Sequence, residues 1–126
     1  MIRIITISGC IEIILGFLAL RYTKRRLCKV KSSYQRKLRK VALIAGGILA
    51  AASWPCTFLS GYPYSFGDAT GRIAGIPFMV AYFDSAGRDY VSSFMLLAMI
   101  GNAAFWFTVP HILFAVYLFL HRKWKY

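Results

Sequence analysis

Three long apolar stretches alternate with polar stretches along this chain, and they predict its main elements. Residues 2–20 are apolar except for Arg3 and Glu12, residues 41–60 carry no charge, and residues 91–120 carry none if His111 is neutral. A helix needs about 20 such residues to cross the ~30 Å hydrocarbon core of a bilayer. The pattern predicts an all-α integral membrane protein with three transmembrane helices in a single membrane domain, residues 1–126.

The polar stretches between these helices differ in character. Residues 21–40 form a basic loop, and residues 121–126 form a short basic tail. Residues 61–89 hold five glycines, two prolines and several aromatic residues, which predicts a structured loop. Its apolar piece, residues 73–83, is too short to span as a helix and favours an interfacial or re-entrant element.

A cleaved signal peptide is the alternative for residues 2–20. Arg3 is the one basic residue ahead of the apolar run, and no small-residue cleavage site precedes the basic loop. These features favour a helix that stays in the protein as a membrane anchor.

Composition supports lipid as the surrounding medium. Hydrophobic residues make up 59% of the chain and charged residues only 16%, against about 25% charged in soluble domains. The net charge is +12, yet ten of the sixteen basic residues lie in one run, residues 21–40. Nucleic-acid-binding proteins spread their basic residues over a folded surface with polar and aromatic residues between them. The pattern argues against a nucleic-acid partner.

The basic run predicts the orientation in the membrane. Lysine and arginine concentrate on the cytoplasmic side of membrane proteins, which places the 21–40 loop and the C-terminus inside. The N-terminus and the 61–89 loop then face outside. Each basic residue near the surface gains roughly 1 kcal/mol from anionic lipid headgroups. The predicted lipid contacts are Arg21, Lys24, Arg25, Arg26, Lys29, Lys31, Arg36, Lys37, Arg39 and Lys40.

Glu12, His111 and Asn102 are the candidate polar site inside the membrane. A charge at that depth costs at least a few kcal/mol, so intramembrane acids face other helices and often carry function. At the assigned orientation Glu12 and His111 lie at similar depth, with Asn102 further out. A hydrogen bond or ion pair between Glu12 and His111 would lower the cost of both. A structural bond between helices and a proton-carrying role both stay open.

The second apolar stretch carries Ala42, Gly46 and Ala50 at four-residue spacing. Small residues at this spacing let two helix backbones approach closely. The partner is either a helix of the same chain or another protein, so a homo-oligomer or a membrane-protein partner is expected.

Other chemistry finds little support in the sequence. The three cysteines are far apart, with no metal-site or disulfide spacing. Asp68, Asp84 and Asp89 lack the tight pattern of a cation site, and pairing with Arg72 and Arg88 is the better interpretation. No hydrolase, zinc, phosphate-loop or dinucleotide motif is present. We expect no enzyme, metal or cofactor.

Two resemblances bear on function. The lone Glu12 in the first helix of a short chain is similar to the small multidrug resistance family, but that family has four spans with short loops. The sequence GYPYSF, then GIPF, then GNAAFW, within residues 61–107, resembles uncharacterised small bacterial multi-pass membrane proteins. This second resemblance implies a bacterial inner membrane and no particular activity.

The preferred hypothesis is a small non-enzymatic membrane protein that acts as an interaction or accessory subunit. The alternative is a small proton- or ion-linked transport or channel subunit that uses Glu12 and His111.

Overall fold

The protein consists of three long helices and one antiparallel sheet. Its computed structural model describes residues 2–29, 33–66, 69–86 and 88–123. Helices contain 70% of these residues. The expected predominance of helix is confirmed, but the chain is not all-α, because the predicted outer loop folds as a four-stranded sheet. The elements are α1 (Ile2–Lys29), α2 (Ser33–Cys56), β1 (Gly61–Phe66), β2 (Ala69–Ala74), β3 (Ala81–Asp84), β4 (Tyr90–Val91) and α3 (Met95–Lys123).

The sheet is a meander in the order β1-β2-β3-β4. Tyrosine is a good strand former, and the glycines and prolines between tyrosines allow the turns. Tyr62 pairs with Ile73, and Ile73 pairs with Tyr82, so these side chains share one face. The apolar piece 73–83 is divided between β2, a turn and β3. We call residues 61–91 the cap; its most buried side chains are those of Ile73, Ala74, Val80 and Ala81.

The helices begin and end at different residues from those predicted. Lysine and arginine are good helix formers, and α1 continues through them to Lys29. In the described chain two helical segments, Ile2–Cys28 and Met95–His121, are long and apolar enough to cross a membrane. The predicted third span is not shown, because α2 ends at Cys56. Its apolar part has about sixteen residues, or ~24 Å of helix, against ~30 Å of hydrocarbon.

Helix α3 lies between α1 and α2 and packs against both. Gly9 of α1 lies against Pro77 of the cap, so the N-terminal ends of α1 and α3 are both at the cap. At the opposite end, Leu27 of α1 packs with Ala42 of α2 and with Phe114 and Leu118 of α3. Helices α1 and α3 therefore run parallel to each other, and α2 runs antiparallel to both. We call residues 21–29 and 33–40 the basic end.

Candidate functional site

Helix α3 carries three buried polar side chains that lie on different sides of the helix. Asn102, Thr108 and His111 expose 2%, 0% and 1% of their surface. Asn102 contacts the cap, Thr108 contacts α1 and His111 lies beside α2. Buried polar groups are costly unless they are bonded. Asn102 and Thr108 each find a partner on a different neighbour, whereas His111 Nε2 finds none among the described residues.

Glu12 meets Thr108 at the contact between α1 and α3. The hydroxyl Oγ1 of Thr108 lies 3.1 Å from each carboxyl oxygen of Glu12. Gly16, one turn further along α1, makes this approach possible, since a methyl group there would overlap the Thr108 side chain. The Glu12–Thr108 pair joins two elements that are 96 positions apart in the chain.

The Thr108 hydroxyl is shared between Glu12 and the backbone of its own helix. Thr108 Oγ1 also lies 2.8 Å from the carbonyl oxygen of Phe105 and 3.1 Å from that of Ala104. A hydroxyl has one hydrogen to donate and two lone pairs that accept. If Glu12 is protonated, it donates to Thr108, and Thr108 donates to its own helix. An ionised Glu12 would instead compete with those carbonyl oxygens for a single hydrogen.

His111 lies on the other side of α3, beside α2. Its ring is 5.0 Å from that of Phe107, centroid to centroid, and a Cβ on Gly46 would come within 3.4 Å of His111 Nε2. Nε2 is buried and has no hydrogen-bond partner among the described residues. The structure thus does not join Glu12 to His111: the carboxyl bonds Thr108, and the imidazole lies against α2.

Asn102 holds the cap on α3. Its amide nitrogen donates to the carbonyl oxygen of Phe78 at 3.0 Å, and its Oδ1 accepts from the Phe78 backbone N–H at 2.8 Å. Both main-chain groups of Phe78 are satisfied by one side chain. Gly101 beside it lets the Phe78 ring lie close to the helix. Asn102 therefore has a positioning role that the sequence did not reveal.

The small residues of α2 pack inside the chain. Ala42 belongs to the apolar cluster of the basic end, and a Cβ on Gly46 would lie 2.7 Å from the carbonyl oxygen of Phe107. Ala50 is half-buried. The sequence left open whether these small residues pack within the chain or against another protein. For Ala42 and Gly46 the structure shows packing within the chain, against α3. Gly47 is on another side of α2 and has open space around it.

The charged side chains of the cap bond to the cap itself and to the residues that follow α2. Arg88 Nε bonds Asp84 Oδ2 at 2.9 Å, as the sequence predicts. Arg72 departs from the expected pairing: it donates to the carbonyl oxygens of Phe58 (2.8 Å) and Leu59 (3.4 Å), just beyond α2. Asp68 lies outside the described residues. In the part of the chain that the structure describes, no group of metal-binding side chains is present.

Most of the predicted lipid-contact residues are exposed at the basic end, namely Arg21, Lys24, Arg25, Arg36, Lys37 and Lys40. Arg26 is half-buried and bonds the Tyr22 hydroxyl at 2.5 Å. Arg39 is half-buried, and its Nε atom is buried with no hydrogen-bond partner among the described residues. Lys31 and the side chain of Lys29 lie outside the described part.

Comparison of the chain with family models, with curated protein sequences and with solved structures finds no match. Function therefore has to be argued from the chain's own residues.

Proposed function

We propose that this chain is a small integral membrane protein that acts, without enzymatic chemistry, as an interaction or accessory subunit. The observation that carries the proposal is the apolar surface that the helices leave uncovered. The candidate spans in α1 and α3 have only 11% and 22% of their residues buried inside the chain. Soluble monomers rarely expose contiguous apolar patches beyond about 300–600 Å². More than half of the surface is exposed at Ile4, Ile7, Ile14, Phe17, Val41, Ile44, Ile48, Leu96, Ile100, Leu113 and Phe119.

Helix α2 is the proposed third span. Its side chains Ile44 and Ile48 are each 63% exposed and are apolar like the exposed faces of α1 and α3. Residues 57–60 follow α2 directly, and Leu59 there is 78% exposed. Together they extend the apolar segment toward the cap and make up the length that the helix alone lacks.

The proposed orientation places the basic end and the C-terminus in the cytoplasm and the cap outside the cell membrane. It rests on the separation of charge along the bundle, since the positive-inside rule depends on basic residues next to the spans. Cysteine labelling in intact cells tests it. Two variants are made, each with a single thiol. One keeps Cys28 at the basic end, the other carries Ser85→Cys in the cap, and all other cysteines are replaced by alanine.

An impermeant maleimide should label the cap thiol in intact cells and the Cys28 thiol only after lysis. The opposite result would invert the topology. Equal labelling of both thiols before lysis would contradict a membrane-spanning bundle.

The interaction role predicts a docking face on α2 that is separate from its intramolecular face. Gly47, with open space around it, and the exposed Ile44 and Ile48 form the face left for another helix. Close helix contacts in membranes favour such a small residue beside apolar ones. Gly47→Leu should abolish a complex seen by native mass spectrometry while the monomer stays folded. Gly46→Leu is the matched control and should unfold the chain itself. If Gly47→Leu leaves the complex intact, α2 is not the docking face.

The alternative, proton- or ion-linked transport, is favoured by one observation: the bundle contains a carboxyl group at the contact of α1 with α3 and a buried imidazole nitrogen that has no partner among the described residues. Glu12→Gln keeps a donor for Thr108 but removes the titratable group. In proteoliposomes it should abolish a proton-dependent flux under the transport hypothesis. Under the interaction hypothesis, wild type and variant show the same flux as empty vesicles, and both assemble alike.

A further inference from the structure

The basic end contains a groove between the last turns of α1 and the first turns of α2. It encloses about 520 Å³ and is open to the surroundings on one side. Its lining residues are Leu27, Cys28, Arg36, Arg39, Lys40 and Leu43. Of the predicted lipid-contact residues whose side chains the structure describes, three line it, so the basic end is not uniform.

The groove is cationic because of helix periodicity. Arg36, Arg39, Lys40 and Leu43 are spaced three and four residues apart, which places them on one side of α2. None of the lining residues is acidic. Lys37, between them in sequence, is an exposed residue that does not line the groove.

Arg39 is the half-buried cation of the groove. Its Nε is buried and has no hydrogen-bond partner among the described residues. A buried donor left unsatisfied is costly, and a buried donor of a charged group more so. The planar guanidinium presents donors in a fork that matches phosphate oxygens. Because the chain's own atoms cover Nε, an anion with several oxygens in the groove would meet the accessible part of Arg39 and not Nε itself.

The apolar side chains that line the groove indicate which kind of anion it would bind. Leu27 belongs to the apolar cluster of the bundle, whereas Leu43 is 39% exposed. Leu43 therefore adds a partly exposed apolar side chain to the cationic groove. A small inorganic anion would leave this apolar wall uncovered, but a phospholipid covers it with an acyl chain.

We propose that this groove binds the phosphate of an anionic phospholipid between Arg39, Arg36 and Lys40, with an acyl chain along Leu43. The inference rests on the proposed membrane location and goes beyond it, because a topology signal needs basic residues and not a specific site.

The test uses the full chain, first reconstituted into vesicles and then examined by native mass spectrometry with phosphatidylglycerol or phosphatidylcholine. Wild type should retain phosphatidylglycerol preferentially. Arg39→Gln should weaken that retention about fivefold or more, as expected for losing at least one cation–lipid contact. Arg36→Gln removes an exposed groove cation, threatens the fold less and should act in the same direction.

Lys37→Gln and Arg25→Gln remove the same charge outside the groove, where salt screens an exposed charge from a headgroup bound elsewhere, and should change retention less than about twofold if the site is local. Equal losses in all four variants would overturn the site in favour of diffuse surface charge. Complete displacement of the lipid by inorganic phosphate at matched concentration would overturn the lipid as the occupant. If the chain does not enter vesicles at all, both this inference and the proposed function fall. Entry without lipid preference overturns this inference alone.

Discussion

The two ends of the helix bundle are held together by different forces. At the cap end, directional hydrogen bonds connect separate elements: Asn102 bonds the Phe78 backbone, and Arg72 bonds two carbonyl oxygens beyond α2. At the basic end, an apolar cluster that includes Leu27 and Phe114 joins the helices. Directional bonds specify one geometry, whereas apolar contact tolerates rearrangement. The cap end is therefore the structural end, and the basic end is the one where we propose that lipid binds.

The largest expected effect is at the cap end. Asn102→Leu leaves the N–H and the carbonyl oxygen of Phe78 without their partner, and each unsatisfied buried group costs about 1–3 kcal/mol. The free energy of unfolding in SDS titrations should fall by ~2–4 kcal/mol. Ile100→Leu, two positions away and 58% exposed, is the control and should change it by less than ~0.5 kcal/mol. If both variants behave alike, the cap is not anchored through Asn102.

The second-largest effect on stability is expected at the contact between α1 and α3, where Gly16 meets Thr108. Gly16→Ala places a methyl group into the Thr108 side chain, and overpacking of this kind costs about 1–3 kcal/mol. Gly47→Ala is the matched control in open space, where alanine favours the helix by up to ~1 kcal/mol. The two substitutions should shift the SDS unfolding midpoint in opposite directions. A shared direction would mean that α1 is not packed closely on α3.

A smaller effect on stability tests whether the Glu12–Thr108 hydrogen bond stabilises the fold. Thr108→Val removes the hydroxyl from Glu12 with little change in shape and should cost about 1 kcal/mol of unfolding free energy. Thr23→Val is its control: Thr23 is equally buried, but its hydroxyl bonds only its own helix at Leu20. An equal loss in both variants would show that the contact with Glu12 adds nothing to stability.

Sequence patterns predicted the helices of this chain better than the contacts between them. Apolar length alone indicates α1 and α3, because a membrane span has a minimum length. The same argument did not reveal the strands within residues 73–83, since it weighed only helical elements. Short strands between glycines and prolines give a weak signal beside long apolar runs.

The polar contacts were harder to predict for a different reason. Depth along the helices suggested that Glu12 meets His111, but depth does not tell which side of α3 each group faces. Thr108 was missed because threonine in a helix ordinarily bonds its own backbone, as Thr23 does here. Its contact with Glu12 depends on the close approach at Gly16, which only the packed structure shows.

The smallest expected effect concerns the charge within the cap. The hydrogen bond from the Ala86 amide, together with Arg88, lowers the pKa of Asp84 below its ordinary value. A group with a lowered folded-state pKa stabilises the fold above its ordinary pKa, and that contribution is lost as pH falls through the lowered value. Asp84→Asn should therefore reduce thermal stability slightly between about pH 6 and 8 and flatten its decline in acid.

Asp89→Asn removes the same charge from the same loop and is the control for Asp84→Asn. Asp89 makes no hydrogen bond within the described chain, so its replacement should leave the acid decline unchanged. The cations of the basic end have no acidic partner among the described residues, so protonation of Asp84 is not expected to change the contacts there. Methyl NMR can follow the apolar cluster around Leu27 and Phe114 while Asp84 is protonated. If the methyl shifts of that cluster change, the two ends are coupled.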